Sequence, residues 1–307
     1  MLVIDGNSLA WRFQRSRRIV IGGGVAQGEE IQMAHGFLNA LQEIVSKFPL
    51  DTILVLWDGR SKYRHSLYPE YKANRKKIKE SKDFQSFKAQ LPFVKSALTK
   101  LGISHIRHED YEADDVAAFL TRTVGKTRIY LVTSDQDWAQ LVSDSVTWFD
   151  HKDQSEVTPK NFKEIIGLDG PKQLIELKAL TGDSDNIKGV GGIGPKAAHW
   201  ILETYGSVNR LIFSYQGGEE ICPPIKRYLR PIMSFLKNET NKYGMPAQEQ
   251  YSLNIRLIDL NQVDVNLSGA SIEYGKLDIN GFYDLCLDYE FQASPAWARP
   301  FLRSKVL

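Results

Sequence analysis

The sequence predicts an α/β fold in which a mostly parallel central sheet is flanked by helices and followed by a mainly helical C-terminal domain. Three short apolar runs carry this prediction: Leu2–Ile4, Thr52–Trp57 and Arg128–Thr133. Segments with helical spacing of apolar residues follow them, and alternating strands and helices indicate a parallel sheet. We expect one domain over residues 1–165 and a second over residues 166–307.

The remaining elements of the first domain are predicted from the spacing of apolar residues along the chain. Apolar side chains from Ala34 to Phe48 lie three and four positions apart, which predicts a helix over residues 29–47. Residues 103–107 form a further candidate strand, and a helix with a buried face follows from Glu112. Ser134-x-x-Asp137 fits a capping box for another helix.

The second domain contains proline and glycine signals that mark the ends of helices. Thr158-Pro159 predicts a helix that ends at Ile166, and Pro195 begins a later helix. Residues 252–260 fit either a strand or a helix, and residues 278–290 predict a helix.

Bulk composition is typical of a soluble globular protein. Of the 307 residues, 42% are hydrophobic and 25% are charged, and the formal net charge is +2. The sequence contains no apolar run that could span a bilayer and no signal-peptide pattern, so we expect no membrane partner. Cys222 and Cys286 match no metal-ligand or redox spacing, which favours a cytoplasmic location.

Positive charge is concentrated in one stretch. Residues 60–90 contain ten lysines or arginines and three acidic residues, a net of +7. Tyr63, Tyr68 and Tyr71 are interleaved with these cations, and such mixing is typical of surfaces that bind single-stranded nucleic acid. The alternatives are an exposed lysine-rich helix and buried tyrosines.

Carboxylates are crowded at the start of the helix after residue 111. Glu112, Asp114 and Asp115 lie within four residues, and like charges raise the cost of ionising one another. Favourable interaction with the helix dipole explains one or two of them, and a divalent cation would remove the conflict. Asp5, Asp58 and Asp135 each follow an apolar strand, so they are expected to meet this helix at the carboxyl edge of the sheet. The alternative for each of these aspartates, considered by itself, is that it stabilises the turn after its strand.

The glycine-rich stretch from Gly189 to Gly194 matches G-x-G-x-x-G, but it does not follow a strand. We therefore reject a dinucleotide site, and Pro195 before Lys196 excludes a Walker A loop. A glycine hairpin between two helices can direct its backbone N–H groups at a phosphate. The alternative is a plain turn between helices.

Six motifs in a fixed order resemble the 5′ nuclease family. They are Ile4-Asp-Gly-Asn-Ser8, Trp57-Asp58, Pro69-Glu-Tyr-Lys-Ala-Asn-Arg75, Glu112-Ala-Asp-Asp115, Ser134-Asp-Gln-Asp137 and Lys178-Ala-Leu-Thr-Gly-Asp183. The family includes the 5′–3′ exonuclease domain of bacterial DNA polymerase I, flap endonucleases and phage ribonuclease H. The resemblance covers about residues 1–205, and the chain looks like the free-standing type known from bacteriophages. It implies a PIN-like fold with a helical arch over about residues 60–92.

The resemblance also implies roles for individual residues. Two magnesium ions, which manganese can replace, would be bound by Asp5, Asp58, Glu112, Asp114, Asp115, Asp135, Asp137, Asp183 and Asp185. Lys72 and Arg75 would act in catalysis from the arch, and Arg12, Tyr71, Lys72, Arg75, Gly189, Gly191, Gly194 and Lys196 would contact DNA. The helix–hairpin–helix around Gly189–Lys196 is expected to hold a potassium ion.

The implied function is 5′–3′ exonuclease or flap endonuclease activity in DNA replication or repair. The expected substrates are DNA with a 5′ single strand or a nick and RNA–DNA hybrids. Replication proteins are implied as partners, and a monomer is expected. A non-catalytic protein of the same fold that binds branched DNA is the alternative.

One turn departs from the pattern of the family. Gly182-Asp-Ser-Asp-Asn186 has one residue between its two aspartates, where bacterial and phage members usually have two. On a helical turn, residues two apart point away from each other. We therefore assign the ligand role to Asp183 and expect Asp185 to cap the hairpin or to bind metal through water.

Overall fold

Five parallel strands form the centre of a seven-stranded sheet in the computed structural model of the protein. The structure describes residues 1–14, 25–26, 29–48, 52–75, 80–125 and 127–303. The strands in chain order are β1 (Leu2–Asp5), β2 (Val25–Ala26), β3 (Glu29–Glu30), β4 (Ile53–Trp57), β5 (Ser104–Arg107), β6 (Ile129–Val132), β7 (Val146–Asp150), β8 (Ser155–Val157), β9 (Gly182–Asp183), β10 (Ile187–Lys188) and β11 (Ser271–Glu273).

The sheet has the order β11-β5-β4-β1-β6-β7-β8, with antiparallel strands only at its two edges. Its central strands are buried on both faces, as parallel strands covered by helices must be. Leu2 and Ile4 of β1 face one core and Val3 faces the other, because successive strand residues point to opposite faces. The predicted mostly parallel sheet is confirmed.

Helices cover both faces of the sheet and build the region after residue 160. They are α1 (Gly6–Gln14), α2 (Gln32–Lys47), α3 (Lys62–Leu67), α4 (Lys82–Lys100), α5 (Ala113–Thr123), α6 (Phe162–Ile166), α7 (Pro171–Thr181), α8 (Pro195–Tyr205), α9 (Val208–Gln216), α10 (Leu229–Leu236), α11 (Ala247–Ile258), α12 (Ile279–Asp288) and α13 (Pro295–Ala298). Short 3-10 helices cover Ala73–Arg75, Gln136–Leu141, Lys226–Tyr228, Leu260–Gln262 and Arg299–Arg303. No helix of the described ranges combines the length and the apolar character that crossing a bilayer requires.

The last part of the chain returns to the first core. β11 pairs with β5, and Phe282, Cys286 and Phe301 are buried in the same cluster as α2 residues. The predicted division after residue 165 would place residues 271–303 in the second domain, whereas the structure places them against the sheet. Phe282, Cys286, Phe291 and Phe301 thus complete the core on the α2 face of the sheet.

Several predicted element boundaries are wrong for local reasons. The stretch after Asp135 is a 3-10 helix, and Asp135 caps it by accepting a hydrogen bond from the Asp137 N–H. Ser134 is not the cap that we expected. The helix that ends at Ile166 starts at Phe162 rather than at Pro159, because Asn161 binds the Thr158 backbone and hydroxyl groups.

The predicted arch over residues 60–92 consists of α3, a 3-10 turn and the first part of α4. Pro92 lies inside α4, and this helix continues to Lys100 because Phe93, Val94 and Leu98 pack into the core. The arch therefore does not end at Pro92. Residues 76–79 of the predicted arch lie outside the described residues.

Candidate functional site

Aspartates from three neighbouring strands meet at the carboxyl edge of the sheet, as predicted. β1 pairs with β4 on one side and with β6 on the other. Asp5 ends β1, Asp58 follows β4 and Asp135 follows β6. Parallel strands end at the same edge, so three distant parts of the chain supply carboxylates to one place.

Asp5 is buried and held from two sides. Its Oδ1 accepts a hydrogen bond from the Ser8 N–H at 2.9 Å, and its Oδ2 accepts one from the Thr133 hydroxyl at 2.8 Å. Burial, assisted by the charge of Asp58, raises the pKa of Asp5 to about 7. The local structure thus holds the carboxylate in place although ionising it is unfavourable.

Asp58 and Asp114 link the strand ends to the acidic helix α5. Asp58 Oδ1 accepts from the Ala113 N–H at 3.0 Å, and Asp114 Oδ1 accepts from the Trp138 indole N–H at 2.6 Å. Burial raises the pKa of Asp58 and raises that of Asp114 well above its ordinary value, the latter with a further contribution from Asp135. Both carboxylates are destabilised as anions.

Glu112 is the N-cap of α5 and is surrounded by donors. Its Oε1 lies 2.5 Å from the Lys72 ammonium nitrogen, and its Oε2 accepts from the Tyr71 hydroxyl at 2.9 Å and from Arg64 at 3.2 Å. Burial opposes ionisation of Glu112, but Lys72 and Arg64 outweigh it and hold its pKa below the ordinary value. Glu112 is therefore anionic in a largely dry environment.

Asp115 is paired with Arg64, the same arginine that contacts Glu112. It is fully buried, its Oδ1 is 2.8 Å from Arg64 Nη1, and its Oδ2 accepts from the Glu112 N–H at 3.0 Å. Arg64 also donates to the Leu257 carbonyl of α11, so this pair joins the sheet to the C-terminal region. We correct the assignment of Asp115 accordingly: its observed partners are those of a structural ion pair.

A second group of carboxylates surrounds a lysine of α7. Lys178 donates to Asp137 Oδ1 and, at 2.8 Å, to Asp183 Oδ2. Burial opposes ionisation of Asp183, but Lys178 outweighs it and lowers the pKa of that carboxyl. The structure thus brings Asp137 and Asp183, two of the ligands that the resemblance implies, to the same ammonium group.

Asp183 and Asp185 diverge, but for a reason other than the expected one. They lie on a short antiparallel hairpin of β9 and β10, not on a helical turn. Gly182 begins the hairpin with φ +84°, and a Cβ there would come within 2.5 Å of the Ile187 carbonyl oxygen. The three-residue loop ends with Asn186 in the left-handed region, φ +66°, a geometry typical of such hairpins. Asp185 consequently faces Lys72 and Arg75 of the predicted arch.

Ammonium groups lie among the predicted ligands. Within the described ranges, no set of three or more histidine, cysteine or acidic side chains is arranged as a ready metal site. Lys72 lies beside Glu112 and Asp185, and Lys178 beside Asp137 and Asp183. These cations balance the negative charge of the cluster.

The donor chemistry nevertheless fits a hard divalent cation. Carboxylate oxygens are the ligands that Mg²⁺ prefers. Burial raises the pKa of Asp5, Asp58 and Asp114, and a neighbouring carboxylate adds to each rise. A divalent cation would offset both effects, so the residues present fit such an ion.

The predicted DNA-contacting residues fall into distinct environments. Arg12 donates to the carbonyl of His151 at 2.8 Å, while Lys196 is exposed in the first turn of α8. Gly194 caps that helix with open space around it, whereas Gly189 packs against the Thr181 carbonyl. Gly191 has φ +106° and turns the hairpin between α7 and α8.

Tyr71 is not available for base stacking in this structure. The residue is 4% exposed, and its hydroxyl donates to Glu112. The buried alternative is therefore correct for this tyrosine, while Tyr63 and Tyr68 are half-buried.

Sequence reasoning missed four residues that shape the site: Arg64, Thr133, Trp138 and Lys178. Each is a donor whose partner is a predicted ligand. The crowding of carboxylates was itself a usable signal, because buried anions require internal donors. Which donor serves which carboxylate depends on contacts over long sequence distances.

Two family models match the sequence. The N-terminal resolvase-like domain of 5'-3' exonucleases matches residues 1–167, and the C-terminal SAM fold of 5'-3' exonucleases matches residues 170–242. The thermostable DNA polymerase I of Thermus thermophilus is 34% identical over 254 residues, which cover 81% of this chain and 29% of that protein. The chain thus spans less than a third of that relative. A 5'-3' exonuclease of Aquifex aeolicus is 26% identical over 91% of this chain and 88% of its own length.

Solved structures share the fold. T5 5'-exonuclease with bound zinc superposes with a TM-score of 0.68 at 24% identity, covering 94% of this chain and 99% of that chain. Flap endonuclease-1 from Methanococcus jannaschii gives a TM-score of 0.62 at 16% identity, covering 98% and 90%. The sheet and the helical C-terminal region are therefore those of a known architecture.

Proposed function

The chain belongs to the 5'-3' exonuclease family, and we propose that it is a nuclease that uses divalent cations to hydrolyse phosphodiester bonds of DNA at 5′ single strands or nicks. One observation carries the proposal: Asp5, Asp58 and Asp114 converge at one edge of the sheet, with Lys72 beside the same acidic helix. Buried anions next to cations are costly for a purely structural site.

The proposed cofactor is magnesium, as two ions, with manganese as a substitute. Asp5, Asp58, Glu112 and Asp114 would hold one ion, and Asp135, Asp137 and Asp183 the other. Divalent ions at these carboxylates would neutralise phosphate oxygens and lower the pKa of an attacking water. Zinc is bound in the structure of T5 5'-exonuclease, which supports a divalent site here. A potassium ion at the Gly189–Lys196 hairpin is a further proposal.

The chain's own residues would orient the substrate and balance charge. Lys72 and Arg75 would contribute positive charge where the transition state gains negative charge. Thr133 and Trp138 hold Asp5 and Asp114 by hydrogen bonds, which limits their reorientation during the reaction. The Arg64 pair with Asp115 anchors the start of the acidic helix.

The proposed substrates are 5′-tailed or nicked duplexes, RNA–DNA hybrids included, and the setting is replication or repair in the cytoplasm. Rad2 has been solved with DNA substrate, and its fold matches this chain at a TM-score of 0.59. Lys196 and the open backbone at Gly194 would bind the duplex through phosphates. Replication proteins are the proposed partners of a monomeric enzyme.

Cleavage of a labelled 5′-tailed duplex tests the proposal directly. The wild-type protein should cleave the DNA in the presence of Mg²⁺, and cleavage should stop when a chelator is added. A matched blunt duplex without a nick is the substrate control. Binding of the tailed duplex without cleavage in Mg²⁺ or Mn²⁺ would instead identify a non-catalytic protein that binds branched DNA.

A further inference from the structure

Six contacts join residues 70–75 of the predicted arch to the β9–β10 hairpin. All six involve the Ser184–Asn186 loop, which the chain makes one residue shorter than the usual family turn. The backbone contacts are Lys72 N–H to the Asp185 carbonyl at 2.9 Å, the Asn74 amide to the Ser184 carbonyl at 2.8 Å, and the Asn186 amide to the Glu70 carbonyl at 2.8 Å. The side-chain contacts are Lys72 to Asp185 Oδ2 at 3.3 Å, Arg75 to Asp185 Oδ1, and Tyr71 to Asp185 Oδ2 at 3.4 Å.

The carboxylate of Asp185 has three donors from the arch. Its Oδ1 accepts a hydrogen bond from Arg75, and its Oδ2 contacts the Lys72 ammonium group and the Tyr71 hydroxyl. Its N–H donates to Asp183 Oδ1 at 3.1 Å, which fixes the turn internally. The carboxylate oxygens of Asp185 thus contact Lys72, Tyr71 and Arg75 of the arch, while its backbone N–H contacts Asp183.

Lys72 itself has an unusual backbone conformation. Its φ is +55°, in the left-handed region that lysine rarely adopts. Such strain persists where the surroundings determine the geometry, and here the Lys72 N–H is held by the Asp185 carbonyl. The conformation directs the ammonium group between Glu112 and Asp185.

We propose that Asp185, together with Asn74 and Asn186, is a latch that positions Lys72 and Arg75 at the carboxylate cluster, and that Asp185 is not a direct metal ligand. This inference rests on the proposed nuclease function. Asp185 is a positioning residue, because it acts through the two arch cations. The one-residue shortening of the turn explains the role, since a three-residue hairpin loop turns Asp185 to the arch while Asp183 stays with Lys178.

A kinetic cycle separates a latch from a metal ligand. Single-turnover cleavage at saturating DNA and Mg²⁺ is measured for Asp185→Asn in the wild-type background and in a Lys72→Ala/Arg75→Ala background. A latch predicts a rate loss of about tenfold in the first background and less than about twofold in the second, because residues in contact are not additive. Equal fractional losses in both backgrounds would overturn the proposal.

Limited trypsin digestion of the free protein tests the latch without DNA or metal. Cleavage after Lys72 and Arg75, followed by mass spectrometry, should accelerate about tenfold in Asp185→Asn, because Arg75 loses its ion pair, Lys72 keeps only the pair with Glu112, and local opening becomes easier. Asn186→Gly keeps a left-handed turn residue and every carboxylate, and it should also accelerate cleavage. Asp169→Asn removes an exposed ion pair with Lys163 and is the matched control, expected within about twofold of wild type.

The two experiments fail in distinguishable ways. If the protein cuts no DNA, the proposed function fails, and the digestion still decides the latch. Trypsin rates at Lys72 and Arg75 that are the same in wild type, Asp185→Asn and Asn186→Gly would overturn the latch. A folded far-UV spectrum for each variant is required before its rates are compared.

Discussion

Arg64 and Asp115 form an ion pair in the interior of the protein. Nη1 of Arg64 lies 2.8 Å from Oδ1 of Asp115, and the two side chains are 3% and 0% exposed. Arg64 also donates to Ser61 Oγ at 3.0 Å and to the Leu257 carbonyl at 2.8 Å. A residue of the basic stretch is thus committed to the folded core and is not available to a nucleic acid.

We expect Arg64→Met to lower the free energy of unfolding by about 3–5 kcal/mol, because it leaves Asp115 as an unpaired buried anion. Urea unfolding at pH 7 measures the change. Lys62→Met is the matched control on the same helix, since it breaks an exposed pair with Asp110 and should cost less than about 1 kcal/mol. Similar losses in the two variants would contradict the structural role of the pair.

Asp114→Asn should abolish cleavage and leave the melting temperature in a chelator equal or higher. Burial and the charges of Asp135 and Asp58 raise the pKa of Asp114, so its anion destabilises the metal-free fold. An amide oxygen can still accept from Trp138. Thermal unfolding with and without Mg²⁺ measures the effect, and a variant that unfolds or that cuts normally would refute it.

Tyr71→Phe should lower the free energy of unfolding by about 1–2 kcal/mol, because it removes a buried hydrogen bond to an anionic carboxylate. Tyr68→Phe is the control, since it loses only an exposed bond to Glu70 at 3.1 Å. Chemical denaturation of both variants measures the difference. A loss in DNA affinity without any loss in stability would instead support base contact by Tyr71.

Lys72→Ala should slow the chemical step at least about tenfold, because its charge lies next to Glu112 in the cluster. The dissociation constant for 5′-tailed DNA should change less than about threefold, since many cations share the phosphate contacts. Single-turnover rates and fluorescence anisotropy separate the two effects, with Lys163→Ala as an exposed control. A change in affinity alone would make Lys72 only a phosphate clamp.

His151 should make the protein sensitive to acid. Burial, assisted by Arg12, lowers the pKa of His151 to about 4, below the ordinary value of 6.5. Its folded-state pKa is depressed, so the neutral imidazole contributes stability that is complete above pH 6.5 and is lost as the pH falls towards 4.

Between pH 7 and pH 4.5 this loss amounts to about 2–3 kcal/mol. Glutamine cannot ionise, so His151→Gln should escape this loss. Between pH 7 and pH 4.5 its free energy of unfolding should fall by about 2–3 kcal/mol less than that of the wild type, whatever its stability at pH 7. Urea unfolding at pH 7 and at pH 4.5 gives the change in the free energy of unfolding for each protein, and the changes for wild type and variant are then compared. An equal acid dependence of wild type and variant would contradict the lowered pKa.

The sequence by itself determined the four adjacent strands β5, β4, β1 and β6 and the position of the carboxylates at their ends. Apolar runs such as Leu2–Ile4 form strands because of local patterning, and Asp5 ends β1 while Asp58 directly follows β4. Parallel topology brings strand ends together whatever the details of packing. The convergence at the sheet edge was therefore predictable from order along the chain alone.

Only the tertiary structure decided which partner each charged group has. Asp115 pairs with Arg64, and Asp185 pairs with Lys72 and Arg75, across 51, 113 and 110 residues. The hairpin at Gly182–Lys188 replaced the expected helical turn, and β11 returned from the end of the chain to pair with β5. Such pairings depend on the shape of the folded core, because a buried charge pairs with the donor that packing brings within hydrogen-bonding distance. The spacing of residues along the sequence does not predict which donor that is.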